Sequence, residues 1–397
     1  MTLTKAFIPY GAYWSSPFVR WQGSLSGVNA VELAASSTRR FLDLREIPRE
    51  ELDGLVLGTT VPQEHAFYGG PWLASMIEAP HLTGPLVSQA CATSARALAT
   101  AALEVEAGMR GAVLAVCADR CSNGPHIYYP DPAGIGGRGR TEEWVWDNFN
   151  ADPNTGKAMI VTAENVAKAE GISKEEQDEI TLLRYGQYQD ALADDRAFQK
   201  RYMIPAEVPK GRKKTVEVQA DDGVFPTTAE GLAGLKPVMP DGSVSFGTQT
   251  FPADGNAGIL VCDEEKAKAF SKDPSVTIRV LGFGQARVEK ACMPKAVVPA
   301  ALAALSEAGR GIEDCKAIKT HNPFAVNDAY FCKATGIAPE RMNRFGSPLI
   351  YGHPQGPTGL RVIAELLEEL VEAGGGLGLF SGCAAGDTAM AAVFQVS

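Results

Sequence analysis

Two stretches lying far apart in the chain can be laid on one another. Glu106-Ala107-Gly108-Met109-Arg110-Gly111-Ala112-Val113-Leu114-Ala115-Val116-Cys117 matches Glu372-Ala373-Gly374-Gly375-Gly376-Leu377-Gly378-Leu379-Phe380-Ser381-Gly382-Cys383. Each follows an apolar helical pattern and reads as a strand buried in a sheet. Upstream, Glu51-Leu52-Asp53-Gly54-Leu55-Val56-Leu57 parallels Glu313-Asp314-Cys315-Lys316-Ala317-Ile318-Lys319 in the same order. The two matches predict a duplicated α/β half. Such a chain must pack two like helix–strand units about a pseudo-twofold axis, with ligands at the carboxyl ends of the strands.

Within the first unit, Leu86-Val87-Ser88-Gln89-Ala90-Cys91 runs into Ala92-Thr93-Ser94 and then an apolar stripe of Leu98, Ala102, Leu103 and Val105. A cysteine at that place has its sulfur at a helix N-terminus, where free backbone N–H groups favour thiolate. The same N–H groups can bind an oxyanion. In the duplicated register the start of this helix corresponds to Gly352-His353-Pro354-Gln355-Gly356-Pro357-Thr358-Gly359. Cys91, His353 and Cys383 are therefore expected to meet. A thiolate attacking an acyl carbon forms a thioester, an imidazole raises the thiolate fraction, and a second thiol can serve as acid or base at an acidified α-carbon.

The rest of the chain bounds this chemistry. Hydrophobic residues make up 45% and charged residues 21% of 397, and the net charge is −10, which argues against non-specific nucleic-acid binding. No apolar run is long enough for a membrane span, and Met1 to Pro9 lacks the apolar core of a signal peptide. Eight scattered cysteines and five histidines form neither a disulfide framework nor a zinc cluster, so no metal site is expected. A reducing cytoplasm fits this usage. Helices are expected over 26–42, 67–77, 91–108, 160–170 and 174–193, the last capped by Ser173. Residues 121–150, rich in Gly, Pro, Tyr and Trp, read as an irregular loop. The expected units are 1–119 (with 247–270), an inserted loop domain at 120–246, and 271–397.

At this point the sequence resembles the thiolases, which make or break the carbon–carbon bond of 3-oxoacyl-CoA. The resemblance rests on Trp21-Gln22-Gly23-Ser24-Leu25, the Cys91 segment, Thr162-Ala163-Glu164-Asn165-Val166-Ala167 and Gly171-Ile172-Ser173-Lys174-Glu175-Glu176-Gln177-Asp178. It continues through Leu235-Lys236-Pro237, the Gly352-His353-Pro354 motif and Cys383. It implies two βαβαβαββ halves in a five-layer α-β-α-β-α fold with the insertion covering coenzyme A, which is a substrate; no permanent cofactor is implied. Cys91 looks like the acyl-carrying nucleophile, His353 its activator and an oxyanion donor, and Cys383 the acid/base. His321, in His321-Asn322-Pro323-Phe324-Ala325, stands where many thiolases have the asparagine of an Asn-Glu-Ala-Phe-Ala motif. That resembles the sterol-carrier-protein type and archaeal branches.

Two departures bear on the substrate. Many thiolases have Cys-x-Gly where this chain has Cys383-Ala384-Ala385-Gly386, and a family His-Met appears as Ala158-Met159. The resemblance places Met159, Phe324, Ala385 and Gly386 around the acyl site, where Tyr128, Tyr129, Trp144 and Trp146 are candidates for lining a bulky or aromatic acyl group. It places Thr250 near the pantetheine and the basic Arg212-Lys213-Lys214 run near the CoA phosphate. Benzoylsuccinyl-CoA is one substrate to consider. A ketoacyl or hydroxymethylglutaryl-CoA synthase is the neighbouring alternative, disfavoured by Cys383; a non-catalytic CoA-binding subunit is the third, disfavoured by Cys91 with His353. Implied partners are a second copy, as dimer or dimer of dimers, and a small zinc-ribbon/OB-fold protein.

Overall fold

The computed structural model describes residues 2–211 and 214–397. Its frame is an 11-stranded mixed sheet folded into two halves. In the first half, Gly54–Gly58 runs parallel to both Leu86–Val87 and Ala112–Arg120, and the latter is antiparallel to Ala253–Cys262. In the second, Cys315–His321 is parallel to Gly376–Ala384, which is antiparallel to Thr388–Val396, itself paired with Ile278–Arg287. The predicted duplication is visible in the parallel pair and its antiparallel neighbour in each half, while Leu86–Val87 has no counterpart among the described residues. The short strand Phe7–Ile8 pairs with Cys262 on one side and with Ile278 and Arg279 on the other, joining the halves.

Five layers follow from where the helices pack. Ala30–Leu44 and Gly69–Met76 cover the outer face of the first half, and Val297–Ala308 covers that of the second. Thr93–Glu106 and Thr358–Glu372 lie between the halves and touch each other. The first of these central helices buries Ala95, Ala97, Ala99, Ala101 and Ala102. Small side chains there let two helices and two sheets share one core, because close backbone approach replaces bulk.

The central partner helix carries Arg361, Glu365 and Glu368 into this core and pairs each of them. Glu365 accepts from Tyr202 Oη (2.7 Å), Tyr351 Oη (3.0 Å) and Arg361 Nε (3.1 Å). Glu368 accepts from Tyr13 Oη (2.8 Å) and Arg201 Nε (2.5 Å). Arg361 makes a two-pronged pair with Asp221 (2.6 and 2.8 Å) and stacks over Tyr351 and Phe18. Asp221 belongs to the 120–246 insertion and also accepts from Phe18 N–H and Tyr188 Oη. The insertion is therefore clamped to the core by a fully buried ion pair.

Elsewhere in the insertion, Met159–Glu170 and Lys174–Arg196 are helical, with Ser173 Oγ accepting from Glu176 N–H at 3.1 Å as the sequence predicts. The Thr-Ala-Glu-Asn motif works as a tether: Glu164 accepts from Ser243 and Val244 N–H, and Asn165 donates to Ala291 O. Residues 121–150 are more ordered than expected. His126–Tyr129 pairs with Arg140–Glu143, and Trp146–Asn150 is a short helix. Cross-strand pairing, invisible to a search for long periodicity, organises this segment. A second hairpin pairs Ala206–Lys210 with Lys214–Val218.

Removing one member of a buried ion pair leaves the other uncompensated, which costs about 3–5 kcal/mol. Arg361→Met is expected to lose that much in urea unfolding. Lys200→Ala, at an exposed pair with Asp195, is expected to lose about 0–1 kcal/mol. Equal losses would show that the buried clamp does not hold the insertion.

Candidate active site

Cys91 sits in a tight turn two residues ahead of the Thr93–Glu106 helix, so that helix begins slightly later than its sequence pattern suggests. Ala90 takes a left-handed φ of 44°. Ala92 N–H bonds Gln89 O, Thr93 N–H bonds Ala90 O, and Thr93 Oγ1 closes the turn on Ala90 O at 2.7 Å. No side chain caps the helix at Ala92, and of its first turn Thr93 N–H is spent on Ala90 O. The backbone N–H groups of Ala385 and of Cys91 itself lie near the Cys91 sulfur and favour its thiolate against burial.

The second helix brings its own N-terminus to the same place. A Cβ on Gly359 would lie 2.9 Å from Ser94 Cβ, so glycine is needed where the helices cross. Ser94 Oγ donates to Gly356 O across the contact. Gly356 N–H donates to Asp119 Oδ2 at 2.8 Å, and Asp119 also accepts from Thr59, Thr60 and Val61. Burial raises Asp119 to about 6, against these hydrogen bonds that lower it. Upstream, Gly352 has φ 94° and faces the Phe251 ring, where a side chain would clash. His353 N–H then bonds Phe251 O, fixing the histidine beside the sheet.

These contacts gather the predicted residues. The ligand-capable atoms of Cys91, His321 and His353 lie within 4.8 Å of one another. The two imidazoles face each other tilted by 34°, with centroids 4.1 Å apart. His353 Nδ1 is 2.7 Å from Thr358 Oγ1, leaving Nε2 without a partner, and both His321 nitrogens are likewise unpaired. His321 is fully buried at the end of Cys315–His321. Its neighbour Asn322 is held by Asp328, which also binds Thr320, Asn343 and Arg184. Cys383 is fully buried and accepts from Asn327 Nδ2 at 3.3 Å. Cys91 Sγ donates to Gln355 Oε1 at 3.2 Å.

Burial dominates the electrostatics. It lowers His321 to about 3 and His353 well below its usual value, the latter helped by the adjacent His321. It pushes the Cys91 thiol up to about 11 and Cys383 well above the usual thiol range. At neutral pH the resting pocket therefore holds neutral imidazoles and thiols, with orphaned nitrogens facing inward. Unsatisfied buried donors and acceptors cost about 1–3 kcal/mol each. Here they mark where a polar substrate oxygen or a water belongs.

The remaining sequence candidates divide. Met159 and Phe324 pack in one apolar cluster with Cys383. Ala385 and Gly386 form the turn beyond Cys383, Gly386 with φ 83° and open space on its side-chain face. Thr250 spends its hydroxyl on Pro348 O at 2.6 Å. Lys214 is exposed on the second hairpin, and Arg212 and Lys213 fall outside the described residues. Tyr129 bonds Glu142, Trp144 Nε1 bonds Thr60 O, and Trp146 packs on Trp21 and Phe149. Asn327, Thr358, Asp119 and Gln355 were not singled out in the sequence. Gln355 and Thr358 stand inside the Gly-His-Pro segment, and Asn327 three residues past Phe324, so proximity in sequence was the available signal; Asp119 carried none.

Residues 13–265 match the family model described as "Thiolase, N-terminal domain", and 275–396 match "Thiolase, C-terminal domain". The acetyl-CoA acetyltransferase of Pseudomonas aeruginosa is 29% identical over 94% of each chain. Beta-ketothiolase BktB of Cupriavidus necator is 29% identical over 94% of this chain and 95% of its own. The Bacillus anthracis acetyl-CoA acetyltransferase structure superposes with a TM-score of 0.91 at 26% identity, covering 100% of both chains. Human mitochondrial 3-ketoacyl-CoA thiolase in complex with CoA superposes at 0.90 and 25% identity, covering 100% of this chain and 99% of its own. With family models spanning both halves around a cysteine, two histidines and a second cysteine in one buried pocket, the chain belongs to the thiolase family of acyltransferases, for which coenzyme A is a substrate.

Proposed function

We propose that the enzyme cleaves or forms a 3-oxoacyl-CoA by ping-pong transfer through a thioester on Cys91. The meeting of Cys91, His353 and His321 within 4.8 Å carries this reading. In the cleavage direction the Cys91 proton passes to His353 Nε2 and the thiolate attacks the 3-oxo carbon. The oxyanion is met by the N–H groups of Cys91 and Ala385. The carbon–carbon bond then breaks, its electrons moving to the α-carbon of the departing acyl-CoA. His321 and His353 face the enolate oxygen, and Cys383, oriented by Asn327, protonates the α-carbon. Free CoA finally releases the acyl group from Cys91.

His321 in place of an amide supports the histidine-type branch, and a small Ala158 ahead of Met159 supports a bulky or aromatic acyl group. Benzoylsuccinyl-CoA, giving benzoyl-CoA and succinyl-CoA, is the substrate we put forward first. The inserted 120–246 segment covers CoA in this reading, with the Arg212-Lys213-Lys214 run toward its phosphate and Thr250 along the pantetheine. A homodimer or dimer of dimers, and a small zinc-ribbon/OB-fold partner, belong to the same reading, as does a cytoplasmic setting. Among the described residues no helix is long and apolar enough to cross a membrane.

Intact mass after incubation with acetyl-, succinyl- and benzoyl-CoA is expected to show an acyl adduct on the wild type and none on Cys91→Ser. The best-retained acyl group names the substrate class; no adduct from any thioester, with or without the partner, overturns the reading. Cys383→Ala is expected to keep the adduct but to slow carbon–carbon cleavage by about 10²–10⁴-fold, the range for one acid/base group.

His321 also makes a pH prediction. Its folded value of about 3 lies below the usual 6.5, so between these the unfolded chain binds a proton that the folded chain refuses. This contribution to stability is lost as pH falls through about 6.5. His321→Asn is expected to lose less stability than wild type between pH 7 and 5, by up to about 2 kcal/mol in urea unfolding. Parallel losses would show that the folded state accepts the proton.

A further inference from the structure

The Gly-His-Pro turn holds a residue whose conformation and contact have no use in the scheme above. Gln355 has φ 62°, a left-handed conformation that side chains with a Cβ rarely adopt. The same turn carries glycine at 352 and 356, yet glutamine occupies the strained position. Gln355 is buried, and its carboxamide reaches the nucleophile, with Oε1 accepting from Cys91 Sγ at 3.2 Å. Gln355 also stands close enough to His353 to favour its protonated form, although His353 Nε2 completes no hydrogen bond in the resting geometry. Strained residues persist at sites where the strained placement is used.

We propose that Gln355 is a catalytic residue that stabilises the Cys91 thiolate and the His353 imidazolium together through its side-chain amide. A primary amide presents an acceptor and a donor side by side. In the resting pocket Oε1 accepts the S–H proton. On activation the S–H bond breaks with its electron pair left on sulfur, and the proton forms an N–H bond at His353 Nε2. The amide then turns about its terminal bond, so that its N–H donates to the thiolate and Oε1 accepts from the new imidazolium N–H. The net charge of the pocket does not change, and each charged partner gains one hydrogen bond.

This inference rests on Cys91 being the nucleophile, so the test reads Cys91 in wild type first. The rate of Cys91 alkylation by iodoacetamide is followed against pH by peptide mass spectrometry in the full chain, together with the rate of Cys91 acylation by acetyl-CoA. If Cys91 of wild type neither alkylates nor acylates, the thiolase reading itself fails. With wild type reactive, Gln355→Leu is expected to slow both reactions at pH 7 by about tenfold or more, the size of one hydrogen bond to a charged group. Its alkylation profile shifts upward by about one pH unit, with little change in the acetyl-CoA concentration for half-maximal acylation. Gln355→Glu, which accepts but cannot donate, falls at least as far. Gln355→Gly relieves the left-handed turn, so its Tm is equal or higher while its rates stay as low as those of the leucine variant. Rates and profile within twofold of wild type in the leucine variant, or full recovery of rate in the glycine variant, would overturn the proposal.

Discussion

The structure depends on one close approach, the crossing of two helix N-termini at Ser94 and Gly359. It delivers Cys91 and His353, while strand ends bring His321 and Cys383. The alanine-rich Thr93–Glu106 helix and the Thr358–Glu372 helix can approach only because glycine and serine meet there. Their N-terminal ends converge on one place, and the turns preceding them carry Cys91 and His353. A side chain at 359 would press on Ser94 of the partner helix and on Phe380 of the second half-sheet together.

Burial at this site sets an energetic problem for activation. Burial holds the Cys91 thiol at about 11 and the His353 imidazole well below 6.5. Proton transfer between them, taken as isolated groups more than 4.5 units apart (11 against 6.5), costs more than about 6 kcal/mol. Attraction between the resulting charges at about 4 Å returns about 4 kcal/mol at an effective dielectric near 20. The rest has to come from oriented donors and acceptors around the pair, each about 1.5–3 kcal/mol when the partner is charged. The same burial that makes the resting thiol inert thus makes each hydrogen bond to the activated pair count.

Charge inside the central layer follows a different logic. Arg361, Glu365 and Glu368 lie in the core, yet each finds tyrosine, arginine or carboxylate partners drawn from distant segments. Asp328 plays the same part under His321, fixing the loop that carries it through four polar partners. These networks do not touch the reacting atoms. They hold the insertion and the histidine loop in register, so that catalytic geometry is set by rigid elements.

The sequence by itself determined the duplicated halves and Cys91, His353 and Cys383 as the residues to watch; His321 and the central helix layer were legible only through the family resemblance. Apolar runs, helical spacing and repeated segments are local patterns, and local patterns survive in one dimension. It left residues 121–150 unread because their order comes from cross-strand pairing without a long period. It passed over Asp119, Asn327, Thr358 and Gln355, since an aspartate, amide or hydroxyl gains meaning only from what stands opposite it. Whether Cys91 meets His353, whether the histidines face each other unpaired, and whether Gln355 faces the sulfur were decided by tertiary structure. The contacts of Cys91 with His353 and Gln355 join segments more than 250 residues apart in sequence, and only the packing of two helices around a shared core brings them together.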